Sequence, residues 1–131
     1  MTAKDLYQLG NLQAEIENDK KRLEELRAER ENISPSLSGS GGSSRTDPKL
    51  EVLTAEIIDL EQMILDKQIS CVRLQKRLER YIIEIPDSYL RTLFTLHFVQ
   101  RKSYRQVARA VKGASPDSIR MMITRYIRSC S

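Results

Sequence analysis

The segment SPDSIRMMITRYIRS places arginines, hydroxyl side chains and a methionine on the outward side of a predicted helix. Arg120 and Arg125 carry the paired donors that bond the O6 and N7 atoms of guanine in a DNA major groove. Ser118, Thr124 and Met121 lie beside them on the same predicted face. We predict that these five residues contact base edges, while Met121 is equally compatible with a place in the core.

Further basic side chains flank these positions: Arg105, Arg109, Lys112 and Arg128. We predict that they contact DNA phosphates, which fix the register of a protein on the duplex and add salt-dependent affinity. Ser103, at the start of the preceding helix, completes the predicted DNA-binding set. The alternative for each of these side chains is a solvated position that contacts nothing.

The charge of the chain is concentrated in the same region. Residues 86–131 hold nine Lys and Arg residues against only Asp87 and Asp117, a formal charge of +7 in a chain whose total is +4. A basic segment nearly free of acidic residues is typical of a nucleic-acid-binding module. A solvated basic face is the alternative.

Residues suited to catalysis or metal binding are few. His97 is the only histidine, and Cys71 and Cys130 are the only cysteines. The sequence GSGG follows no predicted strand, so it does not indicate a phosphate-binding loop. We therefore expect no enzyme activity, no metal site and no cofactor.

Two short helices should position the basic side chains. Ser103 and Gln106 have the spacing of a capping box, and Ser115 is a second N-cap candidate. Gly113 can end the first helix with a positive φ. Ala108 is small enough for the second helix to cross closely, which predicts a helix-turn-helix whose recognition helix spans 116–129.

A third helix precedes this pair. Pro86 should end the long helix before it, because the residue preceding a proline disfavours the α conformation. Asp87 or Ser88 can cap a new helix, which the apolar pattern predicts over 87–99.

The first part of the chain carries two heptad stripes. The first predicts a helix over 5–32, with Asp19 and Arg30 at positions otherwise occupied by apolar residues. The second predicts a helix over 49–84, with Lys67 as its one strongly polar member and Asp47 as its N-cap candidate. If the two helices pair antiparallel, Asp19 should lie near Lys67 and Arg30 near Glu56.

The Ser/Gly-rich residues 34–48 between the stripes are predicted to form a flexible linker; a loop ordered by a partner is the alternative. A further apolar stripe on the second helix, Ile58, Leu65 and Val72, favours a second copy of the chain as partner. We therefore predict a homodimer or higher homo-oligomer.

These patterns together predict an all-α fold. Residues 1–85 should form a long helical hairpin, a coiled-coil stalk for oligomerisation, followed by a small three-helix helix-turn-helix domain at 86–131. No apolar run reaches the ~18 residues that span a bilayer, and the start lacks the apolar core of a signal peptide. We expect a cytoplasmic protein without membrane contact.

The sequence IPDSYLRTLFTLHFVQRKSYRQVARAV resembles the fourth, DNA-reading region of bacterial sigma factors. ASPDSIRMMITRYI resembles the end of ArpU-like and RinA-like regulators of phages and mobile elements. The resemblance implies a transcription regulator that binds promoter DNA in a bacterial host cell, with RNA polymerase as a further partner. It places Arg120 and Arg125 at the arginine positions of the recognition helix.

Two other classes of protein fit the same patterns. A phage DNA-packaging component of the small terminase kind also joins a helix-turn-helix to an oligomerising helical part. An interaction module that binds another protein through the basic segment would show no salt-dependent affinity for DNA.

Overall fold

The computed structural model describes residues 1–33 and 47–130, which are helical and contain no β-strand. Within these residues there are five α-helices and one π-helical turn: α1 (Ala3–Ile33), α2 (Pro48–Ile83), α3 (Ser88–Phe94), the π-turn (Thr95–Val99), α4 (Tyr104–Val111) and α5 (Pro116–Ser129). The predicted linker lies outside the described residues except for its last two, of which Pro48 begins α2.

Both long helices begin at side-chain caps. The Thr2 hydroxyl accepts a hydrogen bond from the Asp5 backbone N–H at 3.2 Å, and the Asp5 carboxylate accepts one from the Thr2 N–H at 3.0 Å. This reciprocal cap starts α1 two residues before the predicted position. The Asp47 carboxylate accepts from the Lys49 N–H at 2.9 Å, which confirms Asp47 as the cap of α2.

One compact unit comprises the described residues of 14–69. Its buried side chains come from both long helices: Ile16, Leu23, Leu26, Leu53, Ile57 and Ile64. Lys67 pairs with Asp19, and Glu61 pairs with Arg27. The partner in α2 has a lower residue number where the partner in α1 has a higher one, so the two helices run antiparallel here. The predicted pairing of Asp19 with Lys67 is thus confirmed, whereas no ion pair joins Arg30 to Glu56 in the described chain.

The other unit combines residues 1–13 with the chain from Ser70 onward. Its core is built from buried side chains of α1, α2 and the shorter helices: Leu6, Leu9, Leu78, Ile82, Ile85, Leu93, Phe94, Phe98, Val107, Ile119 and Ile123. Each such aliphatic or aromatic side chain contributes about 1.5–3 kcal/mol when fully buried. This grouping differs from the predicted division at residue 85, because both ends of the predicted hairpin supply apolar residues to the same core.

The helix predicted over 87–99 is an α-helix only as far as Phe94. Asp87 caps it by accepting from the Leu90 N–H at 3.0 Å. The following turn is a π-turn, closed by the Gln100 N–H, which donates to the Thr95 carbonyl at 3.0 Å. Phe94 and Phe98 are both buried, with ring centroids 5.3 Å apart. Two residues four apart also share a face of a regular α-helix, so the apolar pattern predicts both buried rings but not the π-turn.

Within the described residues, no helix combines the length and apolarity needed to cross a bilayer.

Candidate nucleic-acid interface

Helix α4 starts at the predicted capping box. The Ser103 hydroxyl accepts from the Gln106 N–H at 3.2 Å, and the Gln106 side-chain oxygen accepts from the Ser103 N–H at 2.9 Å. Two backbone donors at the helix start are thereby satisfied, so the first turn of α4 has a defined position. The Ser103 hydroxyl oxygen therefore caps α4, and the hydroxyl can still donate its hydrogen to a DNA phosphate.

The turn between α4 and α5 has the positive φ that the sequence predicts at Gly113. Gly113 has a φ of 83° and Lys112 a φ of 52°. The Ser115 hydroxyl then accepts from the Ser118 N–H at 3.1 Å, and Pro116 occupies the first turn of α5. The sequence predictions for Gly113 and for the start of α5 are confirmed.

The inner faces of α4 and α5 belong to one hydrophobic core. Val107, Ile119 and Ile123 are completely or almost completely buried, and Ala108 packs half-buried against the same cluster. This packing fixes which side of α5 faces outward.

Six predicted contact residues share the outward face of α5. Five of them are exposed and Thr124 is half-buried: Ser118, Arg120, Met121, Thr124, Arg125 and Arg128. Met121 is 44% exposed, which removes it from the core. The Thr124 hydroxyl donates to the Arg120 carbonyl at 2.7 Å, so its oxygen can still accept from a base. The face offers arginine donors, a hydroxyl acceptor and one apolar contact.

The remaining predicted residues lie on or beside α4. Arg105 and Arg109 are exposed and four residues apart, so they project from the same side of the helix. Lys112 is exposed directly after α4, and Ser103 is exposed directly before it. These side chains are accessible to solvent and therefore to phosphate groups.

Acidic side chains scarcely offset this charge. Asp117 lies at the start of α5, with its carboxylate 4.0 Å from the Arg120 guanidinium, and both side chains are exposed. An exposed pair at that distance is weak and leaves the arginine able to bind another partner. Arg91 has a structural role: it donates to the carbonyls of Ile85 and Pro86, just after α2, at 2.6 and 3.1 Å.

A polar cluster that the sequence did not predict links α1 to the start of α4. The His97 Nδ1 donates to the Lys102 carbonyl at 2.8 Å, because that carbonyl can only accept. In the neutral ring Nε2 is then an acceptor, and the Tyr7 hydroxyl donates to it at 2.9 Å. The Tyr104 hydroxyl in turn donates to the Tyr7 oxygen at 3.0 Å.

This cluster gives His97 a structural role. Its ring stacks on that of Tyr104, with centroids 4.2 Å apart. Burial lowers the pKa of the His97 imidazole below its ordinary value, and the bond to the Lys102 carbonyl partly opposes that effect. Burial raises the pKa of the Tyr7 hydroxyl above its ordinary value. Both ring nitrogens are occupied, so His97 has no nitrogen left for a phosphate.

Among residues 1–33 and 47–130, no three His, Cys, Asp or Glu side chains form a group that could hold a metal ion. The chain matches no protein-family model, no curated protein and no solved structure.

Proposed function

We propose that the protein is a sequence-specific regulator of transcription that binds double-stranded DNA. In this proposal α3, α4 and α5 act as a helix-turn-helix module, and the paired long helices act as an oligomerisation stalk. The observation that carries the proposal is the exposed face of α5, where Arg120, Arg125 and Arg128 project from a helix fixed by its cap and its buried face.

The chemistry of this face suits a DNA groove. An α-helix fits the major groove, and the residues near its N-terminal end reach the base edges. Ser118, Arg120 and Met121 occupy the first two turns of α5, and Arg125 follows one turn later. Arg105 and Arg109 supply charge for the phosphates, which orients the module without reading sequence.

Selection of bound duplexes from a random-sequence library tests the proposal. The parent protein should enrich a defined site, and Arg120→Ala and Arg125→Ala should each lose about 1–3 kcal/mol of discrimination at one base position. Lys20→Ala, an exposed cation on α1, is the matched control and should leave the preference unchanged. If both arginine variants select the parental site with parental affinity, the assignment of α5 is wrong.

The resemblance to sigma-like phage regulators extends the proposal to promoter DNA and to contact with RNA polymerase. A DNA-packaging subunit is the second candidate, favoured by the apolar side chains that α2 leaves exposed, since packaging subunits also self-associate. Sedimentation distinguishes the two: a ring of many copies favours packaging, whereas a dimer that protects promoter DNA favours regulation.

A further inference from the structure

We propose that two copies of the chain pair antiparallel through the outer stripe of α2, which comprises Ile58, Leu65, Ile69, Val72 and Ile83. The inference deepens the oligomerisation contained in the proposed function and rests on it. It adds the orientation and the register of the two helices.

The outer stripe is apolar and exposed in the single chain. Its five side chains retain between 44% and 74% of their accessible surface. At 3.6 residues per turn they fall within an arc of roughly 60° on α2. The buried positions Leu53, Ile57 and Ile64 lie on another side of the same helix. The partner of the stripe is therefore not α1.

The spacing of the stripe is that of a coiled coil. Ile58, Leu65 and Val72 recur every seven residues, and Ile69 follows Leu65 by four. Alternating steps of three and four residues produce the a and d positions through which two helices interlock. A helical partner with the same repeat fits this surface, and a second α2 has that repeat.

Charge along one edge of the stripe determines the orientation. The residues that directly follow Ile58, Leu65 and Val72 are Asp59, Asp66 and Arg73, and Arg80 follows Glu79, the next position of the seven-residue repeat. All four are exposed. None of these four forms an ion pair within the described chain. An antiparallel copy reverses this order, so that Asp66 meets Arg73 of the second copy and Asp59 meets Arg80. Each pair occurs twice because the dimer is symmetric.

The same register aligns the stripe itself. With Asp66 beside Arg73 of the second copy, Ile69 packs against Val72 on both sides of the symmetry axis. Ile58 then packs against Ile83 of the second copy. Leu65 lies beside Lys76, whose aliphatic stem can cover it while the ammonium group reaches water.

A parallel pair lacks these contacts. In an in-register parallel coiled coil, the flanking positions meet those five residues away on the other helix. Glu61 would then face Asp66 of the second copy, and Gln68 would face Arg73. That arrangement contains a like-charge contact and no opposite-charge pair, so charge favours the antiparallel dimer.

Charge reversal tests the orientation. Asp59→Arg with Asp66→Arg makes the edge wholly basic, and Arg73→Asp with Arg80→Asp makes it wholly acidic. In sedimentation without DNA, each double variant alone should dimerise at least about tenfold more weakly than the parent. An equimolar mixture of the two should form a heterodimer of parental affinity, and the variant with all four changes should dimerise with itself.

A second pair of variants tests the apolar contact while preserving the fold. Ile69→Asn changes a stripe residue, and Val52→Asn changes another exposed apolar residue of α2, outside the stripe. Ile69→Asn should weaken the dimer at least about tenfold, with parental helix content by circular dichroism. Val52→Asn should dimerise as the parent does.

The proposal is wrong if the parent sediments as a monomer throughout the micromolar range. It is also wrong if the mixture of reversed variants forms no heterodimer, or if Ile69→Asn and Val52→Asn behave alike. Because no DNA is present, these experiments measure dimerisation independently of the selection of DNA sites. A dimer that selects no site would refute the proposed function and leave this inference intact.

Discussion

The Lys67 ammonium donates a hydrogen bond of 2.6 Å to the Asp19 carboxylate, across the two long helices and 48 residues apart in sequence. Both side chains are about three-quarters hidden from solvent. Each occupies a position that an apolar residue would fill in a regular heptad. The pair therefore ties one register of α1 to one register of α2, since a slip of either helix would leave two half-buried charges without partners.

We expect Lys67→Leu alone to lower the thermal midpoint of unfolding, because it leaves the Asp19 carboxylate half-buried without its cation. Asp19→Leu with Lys67→Leu should restore the midpoint to the parental value or raise it, since two leucines complete the stripe. Thermal denaturation monitored by circular dichroism gives the comparison. A double variant less stable than the single one would contradict this account.

The same pair predicts an alkaline limit to stability. The hydrogen bond to Asp19 raises the pKa of the Lys67 ammonium above its ordinary value of 10.5. The folded state thus holds this proton more tightly than the unfolded chain does. The contribution is fully present below pH 10.5 and is lost as the pH rises through the folded pKa. Urea unfolding at pH 9 and pH 11 should show a larger loss for the parent than for the double leucine variant, because the raised pKa values of the tyrosines cause some loss in both proteins.

Local patterns in the sequence predicted much of this structure. The caps at Asp47, Asp87, Ser103 and Ser115 follow from hydrogen bonds between residues two or three apart. Such bonds depend only on nearby residues, so they can be read without the fold. The pairing of Asp19 with Lys67 was also predictable, because an antiparallel hairpin fixes which heptads meet.

Contacts between distant segments were not predictable in this way. Tyr7 and His97 are 90 residues apart, and neither stands in a pattern that points to the other. The π-turn at Thr95–Val99 follows from no local pattern either, because an α-helix would already place Phe94 and Phe98 on one face. The outward face of α5 was predictable from the spacing of its apolar residues, whereas a DNA sequence for the proposed contacts was not.

The Tyr7–His97–Tyr104 cluster predicts a loss of stability in acid. Burial lowers the pKa of His97 in the folded state, so the unfolded chain binds its proton first as the pH falls. Stability should decrease as the pH falls below about 6.5 and level off below the folded pKa. His97 is the only histidine, so its NMR titration is unambiguous and its midpoint should lie below 6.5.

His97→Asn supplies the control for that measurement. Asparagine can still donate to the Lys102 carbonyl but does not titrate in this range. The difference in unfolding free energy between pH 7.5 and pH 5.5 should therefore be smaller for the variant than for the parent. An equal difference in both proteins would assign the acid effect to carboxylates instead.

The turn between α4 and α5 should not tolerate a side chain at Gly113. Its φ of 83° disfavours any L-residue, although no atom beyond its two chain neighbours lies within 4 Å of the position that a Cβ would occupy. Gly113→Ala should lower the free energy of unfolding by about 1–2 kcal/mol, from backbone strain alone. Urea denaturation measures the change, and a neutral result would mean that the turn has another conformation.

At Gly10, in contrast to Gly113, an alanine should stabilise the protein. It lies in the interior of α1, and an added Cβ would sit 3.9 Å from the Arg101 side chain, an ordinary contact distance. Gly10→Ala should therefore raise the free energy of unfolding by about 0.5–1 kcal/mol, because alanine loses less backbone entropy in a helix. Destabilisation would show that α1 is more tightly packed at this point than those distances indicate.

The predicted phosphate contacts should differ from the predicted base contacts in their dependence on salt. Arg105→Ala or Arg109→Ala should weaken binding to specific and random duplexes by the same factor. Each change should also reduce the slope of log K against log salt concentration by about 1, because one fewer counterion is released. Arg120→Ala should instead weaken binding to the selected site more than binding to random DNA.

Titrations by fluorescence anisotropy at several salt concentrations separate these two effects on DNA affinity. If Arg105→Ala changed the preferred sequence and Arg120→Ala did not, the roles assigned to α4 and α5 would be reversed.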